Sequence, residues 1–427
     1  MKYLKFLLII SIFNFHFSIS QAQTLKLRPD AFPPVAENND AKAIQMATTV
    51  DEMANWDRYP TYDTYIAMMQ GWADRYPSLC RLDTIGTSVQ GRLILAIYIQ
   101  IQTVDDLYRP EFFYSSTMHG DEVTGYVMML RLIDTLLSGY GTNQQYTNLI
   151  NTTRISINPL ANPDGTYNRS NNTVQGSMRY NANYVDLNRN YPDPFGTDPL
   201  NDQQQENTAM IEYFCNHHFR LSANLHGGSE VMNYPWDSFT SYQRPHPDRE
   251  WWIEVCKRFV DTSRMYSRSC FRDVNSEGYI AGGDWYVISN GRQDYVNYYH
   301  DCREMTMEVS SVKTLSSDQL PAYWRFLQHS LVNYIEEIHG IDNHPDDPPV
   351  AINAVENQMP LILLFPNPAS DRVFLESSMP MESVVYDIYG AELIRIPAGQ
   401  KVIDVSSLPS GLYMLRCGTA TAKLIKR

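Results

Sequence analysis

The chain is poor in positive charge: it carries 34 Lys and Arg against 48 Asp and Glu, which gives a formal net charge of −14 at pH 7. This shortage argues against a nucleic acid partner and leaves no basic patch for an anionic membrane surface. The negative excess is compatible with attraction of cationic substrates, although solubility alone also accounts for it. Hydrophobic residues make up 43% and charged residues 19% of the 427 residues, which is typical of a globular protein and not of a disordered one.

A long apolar run is also missing everywhere except near the start of the chain. There Lys2 and Lys5 precede the apolar stretch 6–19, and Ser20 and Ala22 supply small residues at a cleavage position. The stretch is shorter than the ~20 residues that a membrane-spanning helix needs. We therefore predict an export signal peptide at residues 1–22 and a soluble mature chain.

The remaining sequence divides into segments by composition and patterning. Residues 23–55 are mixed and polar and predict a short leader segment. From 56 to 339, apolar β-rich runs alternate with amphipathic helical patterns, which predicts an α/β domain with a mixed central sheet and helices on both faces. A Pro- and Asp-rich linker follows at 340–360, and the short alternating runs of 361–427 predict a small C-terminal β-sandwich.

Polar clusters follow the apolar strands of the α/β segment. The predicted helices cover 62–76, 124–137, 206–218, 250–265 and 321–339, and the predicted strands cover 93–101, 111–116, 154–158, 221–225 and 304–309. Ligands of open α/β sheets bind at the carboxyl ends of the strands, so we expect these clusters to converge on one site.

Two strand ends carry residues that bind metal ions. His119 and Glu122 follow one predicted strand at a spacing that lets both side chains reach a single ion. His226 ends a second strand and is a fitting third ligand, which leaves a fourth position for water as in a catalytic zinc site. Taken by itself, the His-x-x-Glu pattern fits a surface turn at a helix start better than a metal site.

Between these residues lie groups that suit a free carboxylate. Asn162–Gly165 on its own is a turn. Arg179 precedes Asn188 and Arg189, which offer a forked guanidinium with an amide beside it.

In combination, these motifs resemble the zinc carboxypeptidase family, especially its regulatory carboxypeptidase N/E branch. The resemblance covers roughly residues 56–339, with matching stretches in the same order at 85–92, 119–122, 162–165, 186–192, 225–229, 233–237, 285–286, 293–294 and 304–309. It implies a metallocarboxypeptidase that binds one Zn²⁺ and acts on peptides or proteins with a free C-terminus. We expect a monomer that binds no nucleic acid.

The resemblance assigns the metal site and its support. His119, Glu122 and His226 match the zinc ligands, and Asp186 matches the carboxylate that orients His119. A solvent-exposed aspartate is the alternative for Asp186.

The resemblance also assigns two catalytic residues. Glu308 matches the general base, although Glu304 in the same strand keeps open a plain outward-facing carboxylate. Arg179 matches the residue that stabilises the developing oxyanion.

The remaining matches concern the substrate. Asn188, Arg189 and Tyr286 match the residues that hold the terminal carboxylate. Asp237 and Gln293 match positions of the N/E branch that select Lys or Arg side chains, which predicts this preference, while a turn aspartate is the alternative for Asp237. Related enzymes bridge the loop around Tyr286, so we also predict a disulfide between Cys270 and Cys302.

The C-terminal segment departs from the N/E branch. Motifs at 365–371, 386–390, 408–413 and 423–426 resemble a type IX secretion sorting domain, which carries cargo across the outer membrane. A carbohydrate-binding or transthyretin-like module is the alternative. The resemblance implies the type IX secretion machinery as a partner, with passage through the periplasm and residence on the cell surface or in the medium.

Three other functions stay open. A cell-wall γ-glutamyl peptidase of the same fold would share the zinc residues, and a deacylase of related fold would lack the Asn-Arg pair. An inactive surface-binding relative would have lost a zinc ligand or the base, and none is missing.

Overall fold

The computed structural model describes residues 44–101, 109–196, 202–341, 362–365, 367–377, 382–387, 391–417 and 420–427. The predicted signal peptide at 1–22, most of the leader at 23–55 and most of the linker at 340–360 lie outside the described residues. The chain forms two compact units, Met1–Pro348 and Pro349–Arg427. Within the described residues, no helix combines the length and the apolar character needed to cross a membrane.

The first unit contains ten described strands and nine described α-helices. The strands are β1 (Met46–Ala47), β2 (Tyr59–Pro60), β3 (Cys80–Thr87), β4 (Leu93–Ile99), β5 (Glu111–Ser116), β6 (Arg154–Asn158), β7 (Phe219–His226), β8 (Ser229–Tyr234), β9 (Tyr279–Ala281) and β10 (Arg303–Ser310). The helices are α1 (Tyr62–Arg75), α2 (Thr124–Gly139), α3 (Gln144–Thr152), α4 (Pro163–Thr166), α5 (Gln205–Cys215), α6 (Arg249–Tyr266), α7 (Gly282–Trp285), α8 (Arg292–Tyr299) and α9 (Leu320–Glu336).

Eight of these strands form one mixed sheet in the order β3-β4-β6-β5-β7-β10-β8-β9. At its centre β5, β6, β7 and β10 run parallel. β3 and β4 pair antiparallel with their neighbours, and β8 pairs antiparallel with β10 and parallel with β9. Because the central strands are parallel, their carboxyl ends lie along one edge of the sheet, and the polar segments after β5 and β7 meet there.

Side chains of β5 alternate between two cores, one on each face of the sheet. Phe112 and Tyr114 join the larger cluster, to which α1, α2, α3, α6 and α9 contribute. Phe113 packs with Phe214 in the smaller cluster, to which α5 and α8 contribute. This arrangement confirms the predicted mixed sheet with helices on both faces.

The predicted disulfide between Cys270 and Cys302 is wrong. Both thiols are free and buried. Cys270 packs with Phe271 in the larger cluster, whereas Cys302 lies in the smaller cluster with its Sγ 3.2 Å from Ser222 Oγ. The two cysteines therefore belong to cores on opposite faces of the sheet, although they bracket Tyr286 in sequence.

The second unit is a small β-domain of two antiparallel sheets. Its described strands are β11 (Ile362–Phe365), β12 (Arg372–Ser377), β13 (Ser383–Tyr386), β14 (Glu392–Ile396), β15 (Val402–Asp404), β16 (Gly411–Cys417) and β17 (Ala420–Lys426). One sheet has the strand order β11-β12-β15 and the other β14-β13-β16-β17. Inward-facing residues of both sheets, such as Val373, Ile403 and Leu415, share one core.

A buried ion pair connects α8 to β10. Arg292 Nη2 lies 2.8 Å from Glu304 Oε2, and both side chains are 1% exposed. Arg292 also donates a hydrogen bond to Ser115 Oγ in β5, and Ser222 Oγ in β7 donates to Glu304 at 2.8 Å. One charged pair thus ties three central strands to α8.

Replacing Arg292 by methionine should lower the free energy of unfolding by about 3–5 kcal/mol, because Glu304 would remain as an uncompensated buried charge. Urea denaturation at 25 °C measures the change. Arg258→Met is the matched control, since Arg258 pairs with Glu337 at the surface with a side chain 51% exposed, and its loss should cost at most about 1 kcal/mol. Equal effects of the two substitutions would contradict this account.

Candidate active site

The three predicted metal ligands lie together at the carboxyl ends of β5 and β7. His119 and Glu122 belong to the turn after β5, which Glu122 N closes by donating to His119 O at 3.1 Å. His226 is the last residue of β7. Their ligand atoms all lie within 4.8 Å of one another, and all three residues are buried.

The donor atoms of these residues face a common point. Nδ1 of His119 lies 3.0 Å from Nδ1 of His226, and the two oxygens of Glu122 lie 3.0 and 2.8 Å from these nitrogens. Two imidazole nitrogens and a carboxylate form a donor set that zinc takes in catalytic sites. Nitrogen lone pairs so close together need a proton or a cation between them, so the residues fit a metal ion.

Asp186 fixes the orientation of His119. Its Oδ1 lies 3.1 Å from His119 Nε2, and its Oδ2 accepts a hydrogen bond from Arg179 Nε at 2.9 Å. Burial alone would raise the pKa of Asp186, but the charges and hydrogen bonds of His119 and Arg179 outweigh it and hold that pKa well below its usual range. An ionised Asp186 accepts the Nε2 proton and directs the Nδ1 lone pair of His119 to the common point.

Asn224 contacts His226 and was missed in the sequence; unlike Asp186, its amide nitrogen can only donate a hydrogen bond to the ring. Its Nδ2 lies 2.7 Å from His226 Nε2, and Ser115 Oγ donates to its Oδ1 at 3.0 Å. Burial lowers the pKa of His226 to about 4, so the ring is neutral near pH 7, as a metal ligand must be. The available signal was a polar side chain two positions before His226 in an otherwise apolar strand.

Glu308 reaches the same point from β10. In the parallel pairing of β10 with β7, Glu308 is the register partner of His226. Its Oε2 is buried and has no hydrogen-bond partner among the described residues. Burial and the nearby charge of Glu122 raise the pKa of Glu308 well above its usual value. Glu304 in the same strand is also buried, and it differs from Glu308 because it pairs with Arg292.

A small cavity adjoins these residues. Asn188, Asp237 and Tyr286, which the sequence nominated for substrate binding, line it together with His119, His226, Glu308 and three residues that the sequence did not nominate, Asn233, Ile288 and Thr306. The cavity thus brings residues predicted to bind a metal ion and residues predicted to bind a carboxylate to one space.

The two predicted arginines, Arg179 and Arg189, are not among the residues that line this cavity. Arg179 Nη1 lies 3.5 Å from Glu122 Oε1, beside the metal-binding residues. Arg189 is half-buried and donates from Nη1 to the backbone oxygen of Asn188 at 2.7 Å.

Asp237 is buried in the cavity wall. Gln293 Nε2 donates to its Oδ1 at 2.8 Å. Burial and the neighbouring charge of Asp294 raise the pKa of Asp237 well above its usual value. A Cβ at Gly282 would overlap with the Asp237 carboxylate, so only glycine leaves room for this acid.

Comparison with known families gives two matches. Residues 65–329 match the family model described as zinc carboxypeptidase, and residues 363–427 match the model described as a secretion system C-terminal sorting domain.

Among curated proteins, carboxypeptidase D of Anas platyrhynchos is 35% identical over 64% of this chain, and this chain spans 20% of its length. Carboxypeptidase M of Mus musculus is 34% identical, with 66% of each chain covered. The carboxypeptidase N catalytic chain of Mus musculus is 31% identical, with 66% of this chain and 69% of that chain covered.

Solved structures share the fold of the first unit. Thrombin activatable fibrinolysis inhibitor has a TM-score of 0.58 at 16% identity, with 67% of this chain and 76% of that chain covered. Carboxypeptidase A of Helicoverpa armigera has a TM-score of 0.58 at 18% identity, with 67% and 75% covered.

Replacing His226 by alanine should abolish stable zinc binding, because two ligands alone hold the ion weakly. Atomic absorption on the purified chain should show roughly one zinc per chain for the unaltered protein and far less for the variant. His218→Ala is the matched control, since His218 is exposed just before β7, and unchanged zinc content in His226→Ala would contradict the assignment.

Asp186→Asn should weaken zinc binding by about 10–100-fold, because His119 would lose the carboxylate that orients its ring.

Proposed function

Because the chain belongs to the zinc carboxypeptidase family, as its motifs predicted, we propose that it is an exported enzyme that removes single C-terminal residues from peptides and proteins, with a preference for Lys and Arg. The observation that carries this proposal is the single cavity lined by His119, His226, Glu308, Asn188 and Asp237. Chemistry at the peptide bond and recognition of a charged C-terminal residue need these groups at one place.

In this proposal His119, Glu122 and His226 hold one zinc ion. When bound there, zinc lowers the pKa of a water molecule toward ~7 and polarises the scissile carbonyl. Asp186 accepts a hydrogen bond from Nε2 of His119 and so orients that ring, and Asn224 Nδ2 contacts Nε2 of His226. Arg179 stabilises the negative charge that develops on the carbonyl oxygen, since its guanidinium lies beside Glu122.

Glu308 is the proposed general base. Its Oε2 has no other hydrogen-bond partner among the described residues and is therefore available to take a proton from the attacking water. The raised pKa of the carboxyl suits a group that accepts this proton and then delivers it to the leaving amine.

Asn188, Arg189 and Tyr286 are the proposed carboxylate-binding residues. Asn188 and Tyr286 line the cavity, and Arg189 adjoins Asn188. An amide, a guanidinium and a phenol supply the donors that a terminal carboxylate accepts. Binding of this carboxylate restricts cleavage to the last peptide bond.

Asp237, supported by Gln293, is the proposed specificity residue. A buried carboxylate without a cation is unfavourable, and the raised pKa of Asp237 reflects this cost. A Lys or Arg side chain would supply the missing positive charge, whereas a neutral side chain would leave the acid uncompensated.

Export is proposed to need both ends of the chain. The signal at 1–22 would direct the chain to the periplasm, and the domain at 361–427 would engage the type IX secretion machinery, since residues 363–427 match a sorting domain. The linker at 340–360 would separate this domain from the catalytic domain at 56–339, and the protein would then lie on the cell surface or in the medium.

Glu308→Gln should lower kcat by about 10²–10⁴-fold, because the amide cannot accept the water proton. Steady-state hydrolysis of a peptide that ends in Arg measures the loss. Zinc content and the KM of the variant should match those of the unaltered enzyme, since Glu308 is not among the proposed ligands. Full activity of the variant would refute the proposed base.

Matched peptides that end in Arg, Lys, Leu and Phe should be cleaved with the highest kcat/KM when the last residue is Arg or Lys. Asp237→Asn should lower kcat/KM for Arg by a factor of about 30 or more, because a buried charge partner is lost. The ratio of kcat/KM for Arg to that for Leu should also fall as the pH decreases, beginning above the usual aspartate pKa of about 4. Equal or better turnover of Leu or Phe would exclude the proposed specificity.

A further inference from the structure

The first turn of α8 contacts both sides of the substrate cavity. The backbone N–H of Arg292 donates to Asn188 Oδ1 at 2.9 Å, which holds one carboxylate-binding side chain. Gln293 Nε2 donates to Asp237 Oδ1 at 2.8 Å, while Gln293 Oε1 accepts from Thr306 N in β10 at 2.6 Å. Consecutive residues of one helical turn thus contact Asn188, which is proposed to bind the substrate carboxylate, and Asp237, which is proposed to bind the substrate side chain.

Asp294, the next residue of this turn, holds the main chain at Asp237. Its Oδ1 accepts from the backbone N–H of Asp237 at 2.8 Å, and its Oδ2 accepts from that of Ser238 at 2.9 Å. Asp294 is only 1% exposed. Hydrogen bonds to an ionised acceptor are about twice as strong as neutral ones, so this carboxylate fixes the backbone from which the Asp237 side chain projects.

We propose that Asp294 is a positioning residue for the recognition of a cationic C-terminal side chain, acting through the backbone of Asp237. This inference rests on the proposed function and adds a residue to it. Asp237 must lie at a set distance from Asn188 so that one substrate residue can place its carboxylate and its side-chain cation together. Arg292 and Asp294 set that distance, because they form hydrogen bonds with Asn188 and with the backbone of Asp237 from the same helical turn.

A second buried acid next to Asp237 is costly for a purely structural purpose. Burial and the charge of Asp294 both disfavour ionisation of Asp237 in the empty cavity. Two backbone donors could be satisfied by neutral acceptors without this cost. Two neighbouring acids, Asp237 and Asp294, become favourable once the cation of a substrate enters the cavity. The arrangement therefore favours Lys and Arg over neutral residues, although it destabilises the cavity while it is empty.

The test is Asp294→Asn in the full-length, zinc-loaded chain. The asparagine can accept from only one of the two backbone N–H groups, so the Asp237 segment loses its fixed position. We expect the KM for a peptide ending in Arg to rise roughly 10–100-fold, the loss of a charge-assisted hydrogen bond. The kcat for this peptide and the kcat/KM for a peptide ending in Leu should change less than about threefold, since the zinc site and carboxylate-binding groups remain.

Asp284→Asn is the matched control. Asp284 Oδ1 accepts from Ser241 N at 2.8 Å and its Oδ2 accepts from Ser241 Oγ at 2.5 Å, so it holds the same connection after β8, but it is exposed. This variant should keep the KM for Arg and the kcat/KM for Leu.

Equal losses on the Arg and Leu peptides, or no change on either, would overturn the positioning role. If Asp294→Asn does not fold, amide hydrogen exchange on the unaltered protein decides: the N–H groups of Asp237 and Ser238 should be strongly protected, and unprotected exchange would overturn the inference. An unaltered enzyme that prefers Leu would refute the proposed specificity and this inference together. A ratio of kcat/KM for Arg to that for Leu that Asp294→Asn leaves unchanged would refute this inference alone.

Discussion

Parallel pairing of β5 with β7 and of β7 with β10 is the constraint on which the site depends. It places the turn with His119 and Glu122 next to the end of β7, which carries His226, and next to Glu308 in β10. Residues far apart in sequence then share one edge of the sheet, since parallel strands end at the same side. The cores on both faces hold these strands with buried side chains, so the edge has little freedom to move.

Buried charge is the second organising feature. Arg292 and Glu304 neutralise each other between α8 and β10, and Arg179 neutralises Asp186 beside the metal-binding residues. Glu308 and Asp237 differ, because burial and neighbouring carboxylates raise the pKa of both. Both acids line the cavity.

The sequence predicted the buried, strongly patterned elements well. The predicted strands 111–116 and 154–158 agree with β5 and β6, and the helix at 250–265 agrees with α6 within one residue at each end. It missed β3, an edge strand of mostly half-buried residues, and it missed α8. The first turn of α8 buries Arg292, Gln293 and Asp294, so hydrophobic periodicity carries no signal for it.

The sequence by itself determined the fold class, the family and the nomination of His119, Glu122, His226 and Glu308, because short motifs and apolar periodicity are local properties of the chain. Which buried polar groups meet depends on the tertiary fold, which pairs Asn224 with His226, Arg292 with Glu304, and Asp294 with the backbone at Asp237. It also placed Cys270 and Cys302 in different cores, although the family resemblance had implied a disulfide between them. Such partners come from distant segments and are selected by the need to satisfy buried donors and charges, which no local pattern records.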